Sequence, residues 1–151
     1  MSVSFLGNAT SVPSPAAAIP LFTESVSAGF PSPAQDHVEQ TLDLNELCIA
    51  RPSSTYFVRV QGDSMILAGI HPGDLLVVDR SVQARHGDIV IAGLHGELTV
   101  KRLELEPVAR LVACNPAYPP ILIPEGAELC VMGVVMHAVH SLYKQARCGS
   151  P

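Results

Sequence analysis

The chain of 151 residues contains no tryptophan, few aromatic residues (5%) and few charged residues (15%). Nine Lys and Arg stand against fourteen Asp and Glu, and the formal charge of −5 argues against a protein that grips nucleic-acid phosphates with its own basic surface. The first cationic residue is Arg51, so no basic region precedes an apolar segment as in a secretory signal. No run of about 18 apolar residues occurs, so a cytoplasmic protein without a membrane span is predicted.

The four cysteines lack the spacing of a zinc or redox motif, because they include no Cys-x-x-Cys pair. They are Cys48, Cys114, Cys130 and Cys148. We expect reduced thiols packed as small apolar groups, except for Cys148, which is expected to be exposed near the end of the chain.

Histidines do not complete a metal site in the sequence either. His137 and His140 are three residues apart in a predicted strand and would face opposite sides of it, and no acidic residue or cysteine nearby is expected to complete a site. His71, His86 and His95 lie beside Gly or Pro in predicted turns. Neither a metal ion nor a cofactor is therefore expected.

The hydrophobic content of 48% is sufficient for one domain with an apolar core. Residues 1–34 are rich in Ala, Ser and Pro without a period of 3.6 or 2, which predicts a flexible N-terminal arm. Residues 35–144 are predicted to form a β-rich domain, and residues 145–151 a frayed tail. Asp43 and Glu46 have the spacing of a capping box, so a short helix is expected before the Arg51-Pro52 pair.

Beyond Pro52 the chain alternates short β-type runs with Gly- and Pro-containing turns, which is typical of a mainly β domain. The hydrophobic run at 129–139 favours a strand that is buried on both faces or covered in a dimer interface. The predicted strands are 55–61, 75–79, 88–94, 97–105, 110–114, 121–123 and 129–140.

Ser64 is the first candidate for chemistry. It lies in Gly62-Asp63-Ser64-Met65, directly after a predicted strand. A glycine at a strand end can turn the chain sharply enough to present a hydroxyl beside free backbone N–H groups, as an exposed nucleophile requires. A serine hydrogen-bonded within an ordinary turn is the alternative, and the tetrapeptide alone does not exclude it.

Lys101 is the second candidate, because the chain has only two lysines and this one stands in the β run Leu98–Leu103. Strand alternation places it on the same face as Thr99 and opposite Val100. A lysine on a partly apolar face either extends its amine to water or loses its proton.

Together the two residues suggest a Ser–Lys dyad, in which a neutral amine accepts the proton of the Ser64 hydroxyl as that oxygen attacks a carbonyl. A free lysine with a pKa near 10.4 is only about 0.1% neutral at pH 7.4, a shortfall of about 4 kcal/mol. Burial can lower a lysine pKa by about 3 units or more, so the dyad requires Lys101 to be desolvated beside Ser64.

Four motifs in unbroken order resemble the LexA/UmuD family of self-cleaving SOS proteins, over residues 22–140. They are Gly62-Asp63-Ser64-Met65, Pro72-Gly73-Asp74-Leu75, Gly87-Asp88-Ile89-Val90 and Thr99-Val100-Lys101. The resemblance implies a single LexA/signal-peptidase-like domain of short coiled sheets. It also implies self-cleavage between Ala28 and Gly29, and only 28 residues precede that bond, as in the UmuD branch rather than in the repressors.

The same resemblance implies roles and partners. Ser64 and Lys101 would be catalytic, and the backbone N–H groups of Asp63 and Ser64 would form the oxyanion hole. The protein would be a homodimer, cleaved in the presence of a RecA filament on single-stranded DNA, and its shortened form would join an UmuC-type Y-family polymerase in translesion synthesis. No direct sequence-specific DNA binding is expected.

Two alternatives stay open. A Ser–His–Asp arrangement that uses His86 and Asp88 is compatible with the sequence, since triads form in space, although the resemblance supplies Lys101 instead. The chain could also be a non-catalytic dimeric interaction module of the same fold that regulates a polymerase or repressor partner. We do not expect a membrane signal peptidase, because the sequence shows no membrane anchor, or a short transcriptional repressor, because it shows no recognition helix.

Overall fold

The structure is a computed structural model that describes residues 3–5, 19–22 and 38–143. It falls into two compact units. One includes residues 3–5 and the described chain from Arg51 onward, and the other includes residues 19–22 and 38–50. Within these described ranges, no helix has both the length and the hydrophobicity that crossing a membrane requires.

The described residues form ten strands, one α-helix and two short 3-10 turns, at Pro52–Ser54 and Ile66–Ala68. The helix is α1 (Leu44–Cys48). The strands are β1 (Val3–Phe5), β2 (Ile19–Phe22), β3 (Val38–Leu42), β4 (Thr55–Val60), β5 (Leu75–Asp79), β6 (Ile89–Leu94), β7 (Glu97–Glu104), β8 (Arg110–Val112), β9 (Ile121–Leu122) and β10 (Cys130–Val139).

Eight strands form one antiparallel sheet in the order β1-β4-β5-β10-β6-β7-β8-β9, and β2 pairs with β3 in a separate two-stranded sheet. β6 and β7 are joined by His95 and Gly96, which both have positive φ (50° and 80°). Two consecutive left-handed residues match the right-handed twist of a tight hairpin. The turn between the predicted strands 88–94 and 97–105 is therefore a tight hairpin of two residues.

The core of the larger unit consists of two clusters of buried apolar side chains. In β4 every second residue is buried, namely Tyr56, Val58 and Val60, whereas β5 is buried almost throughout. The first cluster combines β4, β5, Ile91 and Val100 with Met65, which follows Ser64 directly. The loop that contains Ser64 is therefore anchored in the core by Met65, since complete burial of a Met side chain contributes about 1.5–3 kcal/mol.

β10 lies between β5 and β6 and has a bulge against each of them. The bulge against β6 lies between Val131 and Gly133, and the bulge against β5 lies between Val135 and His137. Gly133 has φ 155°, and a Cβ there would lie 2.6 Å from Cγ1 of Val78. Only glycine therefore allows the two strands this close approach.

The predicted mainly β fold is confirmed, and each of the seven predicted strands has a counterpart with ends that differ by at most two residues. The helix is also found. Asp43 is its N-cap and accepts the N–H of Asn45 at 2.8 Å, while Leu44 and Leu47 are exposed.

Three short strands were not predicted, namely β1, β2 and β3. β1 and β2 lie in residues 1–34, where the composition predicts no regular structure. Strands of three and four residues carry too little period to detect, and their hydrogen-bond partners come from distant sequence, Val60 for Val3 and Leu42 for Ile19. The division into residues 1–34, 35–144 and 145–151 stays a prediction, and residues 144–151 lie outside the described residues.

The three cysteines within the described residues are free thiols, as expected. Cys48 and Cys114 are half-buried. The expectation of buried packing is wrong for Cys130, which is exposed at the first position of β10. Cys148 lies outside the described residues.

Candidate functional site

The loop that contains Ser64 begins where β4 ends. Gly62 takes a left-handed conformation (φ 83°), which reverses the chain, and the 3-10 turn Ile66–Ala68 begins four residues later. Between them lies Ser64, whose side chain is fully buried (0% exposed). A turn of this kind holds the hydroxyl in one place and away from bulk water.

The segment 114–118 forms hydrogen bonds with this loop. The Leu67 N–H donates to the Cys114 carbonyl oxygen at 2.9 Å, and the Asn115 side-chain amide donates to the Asp63 carbonyl oxygen at 3.1 Å. The Tyr118 hydroxyl donates to the Asp63 carboxylate at 2.7 Å, and this hydrogen bond raises the pKa of Tyr118. These three hydrogen bonds hold Asp63 on one side of Ser64 and Leu67 on the other.

Lys101 comes from the middle of β7, where it pairs with Val90 of β6. Its side chain is only 5% exposed, so it does not extend its amine to water. Its amine reaches Thr99, which confirms that the two residues share a strand face, and Val100 on the other face is part of the apolar core.

The Lys101 amine lies 3.3 Å from the Ser64 hydroxyl oxygen. It also lies 2.9 Å from Oγ1 of Thr99 and 3.1 Å from the carbonyl oxygen of Val100. A neutral amine has two N–H donors and one lone pair. If the donors are directed to Thr99 and Val100, the lone pair is left for the proton of Ser64, as a general base requires.

Burial lowers the pKa of Lys101 below its ordinary value of 10.5, while the nearby Cys114 thiol opposes this shift by favouring the charged amine. Desolvation is the larger of the two causes, because taking the ammonium out of water removes its hydration. Burial therefore enlarges the neutral fraction of Lys101, whose amine lies beside Ser64.

The His86 and Asp88 alternative is not assembled around Ser64. Nδ1 of His86 accepts the backbone N–H of Leu105 at 3.0 Å, and the Asp88 carboxylate accepts the backbone N–H of Arg85 at 2.8 Å. Each group thus accepts a backbone N–H, from Leu105 for His86 and from Arg85 for Asp88, and the structure places Lys101 beside the serine instead.

The structure corrects the expectation that no acid stands near His140. The Asp74 carboxylate lies 2.5 Å from Nδ1 of His140, although 66 residues separate the two in the chain. Sequence reasoning considered only near neighbours along the chain, whereas the antiparallel pairing of β5 with β10 joins these positions. His137 is exposed on β10 and is not part of this group.

Several groups that surround Ser64 and Lys101 were not identified from the sequence. The Val100 carbonyl oxygen could not be found, because a backbone group carries no sequence signal. Asn115 and Tyr118 stand more than 50 residues from Asp63, so only the fold shows their contact. Thr99 had a signal, since strand alternation already placed it on the face of Lys101.

The predicted cleavage site, Ala28 and Gly29, lies outside the described residues, so the bond and its position stay predictions. The assignment of the Asp63 and Ser64 backbone N–H groups to an oxyanion hole also stays a prediction.

Comparison with known proteins adds to this geometry. Residues 20–136 match the family model described as Peptidase S24-like. The matched region contains both Ser64 and Lys101.

The chain is also similar to several curated proteins. It is 56% identical over 121 residues to Protein SamA of Salmonella typhimurium, covering 80% of this chain and 84% of the relative. It is 49% identical over 122 residues to Protein MucA of Escherichia coli, with 80% and 84% covered. LexA repressor 1 of Xanthomonas campestris pv. campestris is 45% identical over 111 residues, which are 72% of this chain but 54% of the repressor.

Proposed function

Because the chain belongs to the Peptidase S24-like family, as a UmuD-like member among the self-cleaving SOS mutagenesis proteins, we propose that it cuts its own chain between Ala28 and Gly29 with Ser64 and Lys101. The observation that carries the proposal is the buried contact of 3.3 Å between the lysine amine and the serine hydroxyl.

The reaction proceeds by acyl transfer. Oγ of Ser64 attacks the carbonyl carbon of Ala28 while its proton passes to Nζ of Lys101, and the negative charge on the carbonyl oxygen is held by backbone N–H groups at Asp63 and Ser64. The intermediate then collapses, the C–N bond breaks, and Lys101 returns the proton to the amine of Gly29. Water hydrolyses the remaining ester with Lys101 again as base, which restores both residues.

Two features make the Ala28-Gly29 bond a suitable substrate. Ala28 needs only a shallow pocket, and Gly29 has no Cβ to obstruct the approach of the hydroxyl. The bond belongs to the same chain, so tethering supplies a high effective concentration and a general substrate pocket is unnecessary.

Regulation follows from burial. Since Ser64 is fully buried, a peptide bond reaches it only when covering groups move. A partner that binds the open form more tightly raises the population of that form and so the rate. We assign this part to a RecA filament on single-stranded DNA.

The cleaved product would act through protein contacts. Similarity to UmuD-type proteins indicates a homodimer and a polymerase partnership in general terms. A homodimer is further supported by apolar side chains that are exposed along and after β10. These are Met132, Met136, Val139, Leu142 and Tyr143. An UmuC-type Y-family polymerase is the proposed partner.

The test is incubation of the purified chain with RecA, nucleotide and single-stranded DNA, followed by mass spectrometry. A new fragment that begins at Gly29 is expected. Ser64→Ala and Lys101→Ala should each abolish it, while Ser53→Ala, which changes an exposed serine, should leave it unchanged. A cut that survives both dyad substitutions would refute the Ser–Lys mechanism, and an uncut wild-type chain would favour the non-catalytic interaction module.

A further inference from the structure

Three side chains that can ligate a metal ion meet at one end of the sheet, and the proposed reaction uses none of them. His71 and Asp74 lie in the turn that leads into β5, and His140 follows the last residue of β10. The register that pairs Val139 with Leu75 brings the two segments together. One ligand atom from each of the three residues lies within 4.8 Å of the other two.

The distances suit a small divalent ion. Nδ1 of His71 lies 3.7 Å from one oxygen of the Asp74 carboxylate, and Nδ1 of His140 lies 2.5 Å from the other. The two imidazole rings are 4.4 Å apart between centroids. Ligands bound at about 2.0–2.2 Å in a tetrahedral site stand a little over 3 Å from one another, so modest movement of His140 would complete the geometry.

A simple hydrogen bond between His140 and Asp74 explains only part of this arrangement. Nδ1 of His71 is buried and has no hydrogen-bond partner. A buried polar atom without a partner costs about 1–3 kcal/mol, so its placement beside a carboxylate and a second imidazole calls for a ligand. A cation shared by the three groups would satisfy that nitrogen.

Hydrogen bonds with the backbone hold Asp74 and its turn in place. The Asp74 carboxylate is 2% exposed and accepts the His71 backbone N–H at 2.8 Å. The Val60 N–H donates to the Asp74 carbonyl oxygen at 2.9 Å, and the Gly73 N–H donates to the Val60 carbonyl oxygen at 2.8 Å. The hydrogen bond from the His71 N–H orients the carboxylate, and the two backbone hydrogen bonds hold the turn that carries it.

We propose that His71, Asp74 and His140 bind one zinc-class divalent ion. Two imidazole nitrogens and one carboxylate match the donors that zinc accepts, and water would fill the fourth position. The two histidine side chains are 41% and 39% exposed, so the ion can enter from solvent. Bound metal would connect the end of β10 to the turn before β5.

The first experiment measures Zn²⁺ binding by competition with a chromophoric chelator, on the full chain carrying Ser64→Ala so that it stays intact. One Zn²⁺ per chain is expected. His71→Ala and His140→Ala should each weaken binding at least about tenfold, since even outer-shell changes cost about 10–100-fold. The matched control is His137→Ala, an exposed histidine on the same strand that should bind as the parent does.

A second measurement, of thermal stability, tests the proposal even if a variant folds poorly. Zn²⁺ should raise the Tm of the parent and of His137→Ala, and should leave the Tm of His140→Ala unchanged, because binding to the folded state stabilises it. Co²⁺ in place of zinc should show the visible bands of a tetrahedral site without sulfur-to-metal charge transfer. Charge-transfer bands would assign the ion to a cysteine and overturn the proposal, as would equal Zn²⁺ affinity in all three histidine variants or no binding to the parent.

Discussion

Unassisted self-cleavage should accelerate as the pH rises from about 7 to 10, because only the neutral amine of Lys101 can accept the Ser64 proton. The neutral fraction of a lysine grows about tenfold per pH unit until its pKa is reached. An ordinary lysine would therefore give about a thousandfold increase over these three units. Burial lowers the pKa of Lys101, so the increase should be smaller and should level off below pH 10.4.

The assay follows the fragment that begins at Gly29 by mass spectrometry, at a series of pH values and without any partner protein. Lys144→Ala is the matched control, since Lys144 is the other lysine of the chain and its replacement should leave the pH profile unchanged. Lys101→Ala should remove cleavage at every pH. A wild-type rate that is flat or falls from pH 7 to 10 would refute the assignment of Lys101 as the base.

Three further predictions concern stability and positioning. In a Ser64→Ala background, Lys101→Met should stabilise the fold at pH 7 in urea denaturation. A lysine whose pKa is lowered in the folded state destabilises the fold at every pH below its unfolded pKa of about 10.4, and the full cost is reached below the folded-state pKa. The stability gained by Lys101→Met should therefore vanish above about pH 10.4. Gly133→Ala should cost about 1–3 kcal/mol in the same assay, because its Cβ would overlap the neighbouring strand at 2.6 Å; unchanged stability would contradict the bulge geometry. Thr99→Val should slow cleavage about 2- to 12-fold, the kinetic value of one hydrogen bond, and Thr99→Ser should restore the rate; equal rates for Val and Ser would exclude this role.

A strand could be predicted where the pattern of apolar residues in the sequence matches the pattern of burial in the sheet. β4 alternates between buried and exposed residues, and β5 is a continuous apolar run bounded by Pro72-Gly73 and Arg80-Ser81, so both could be located from residue type alone. β1 and β2 could not, because strands of three or four residues are defined by their pairing partners and not by their own composition.

The site shows the same division. Ser64 was found because a glycine precedes it at a strand end, and Lys101 because a charged residue in an apolar strand is unusual. The hydrogen bonds of Asn115 and Tyr118 to Asp63 were out of reach, since they span 52 and 55 residues. The contact of Asp74 with His140 spans 66 residues and was missed for the same reason.

By itself the sequence determined the strand runs, the turns between them and the identity of the serine and the lysine, because side-chain period and backbone preference act over a few residues. Tertiary structure decided how far the amine lies from the hydroxyl, how completely both are shielded from water and which distant groups support them. Desolvation and through-space contact arise only after the strands pair, and the chemistry of a lysine base depends on both.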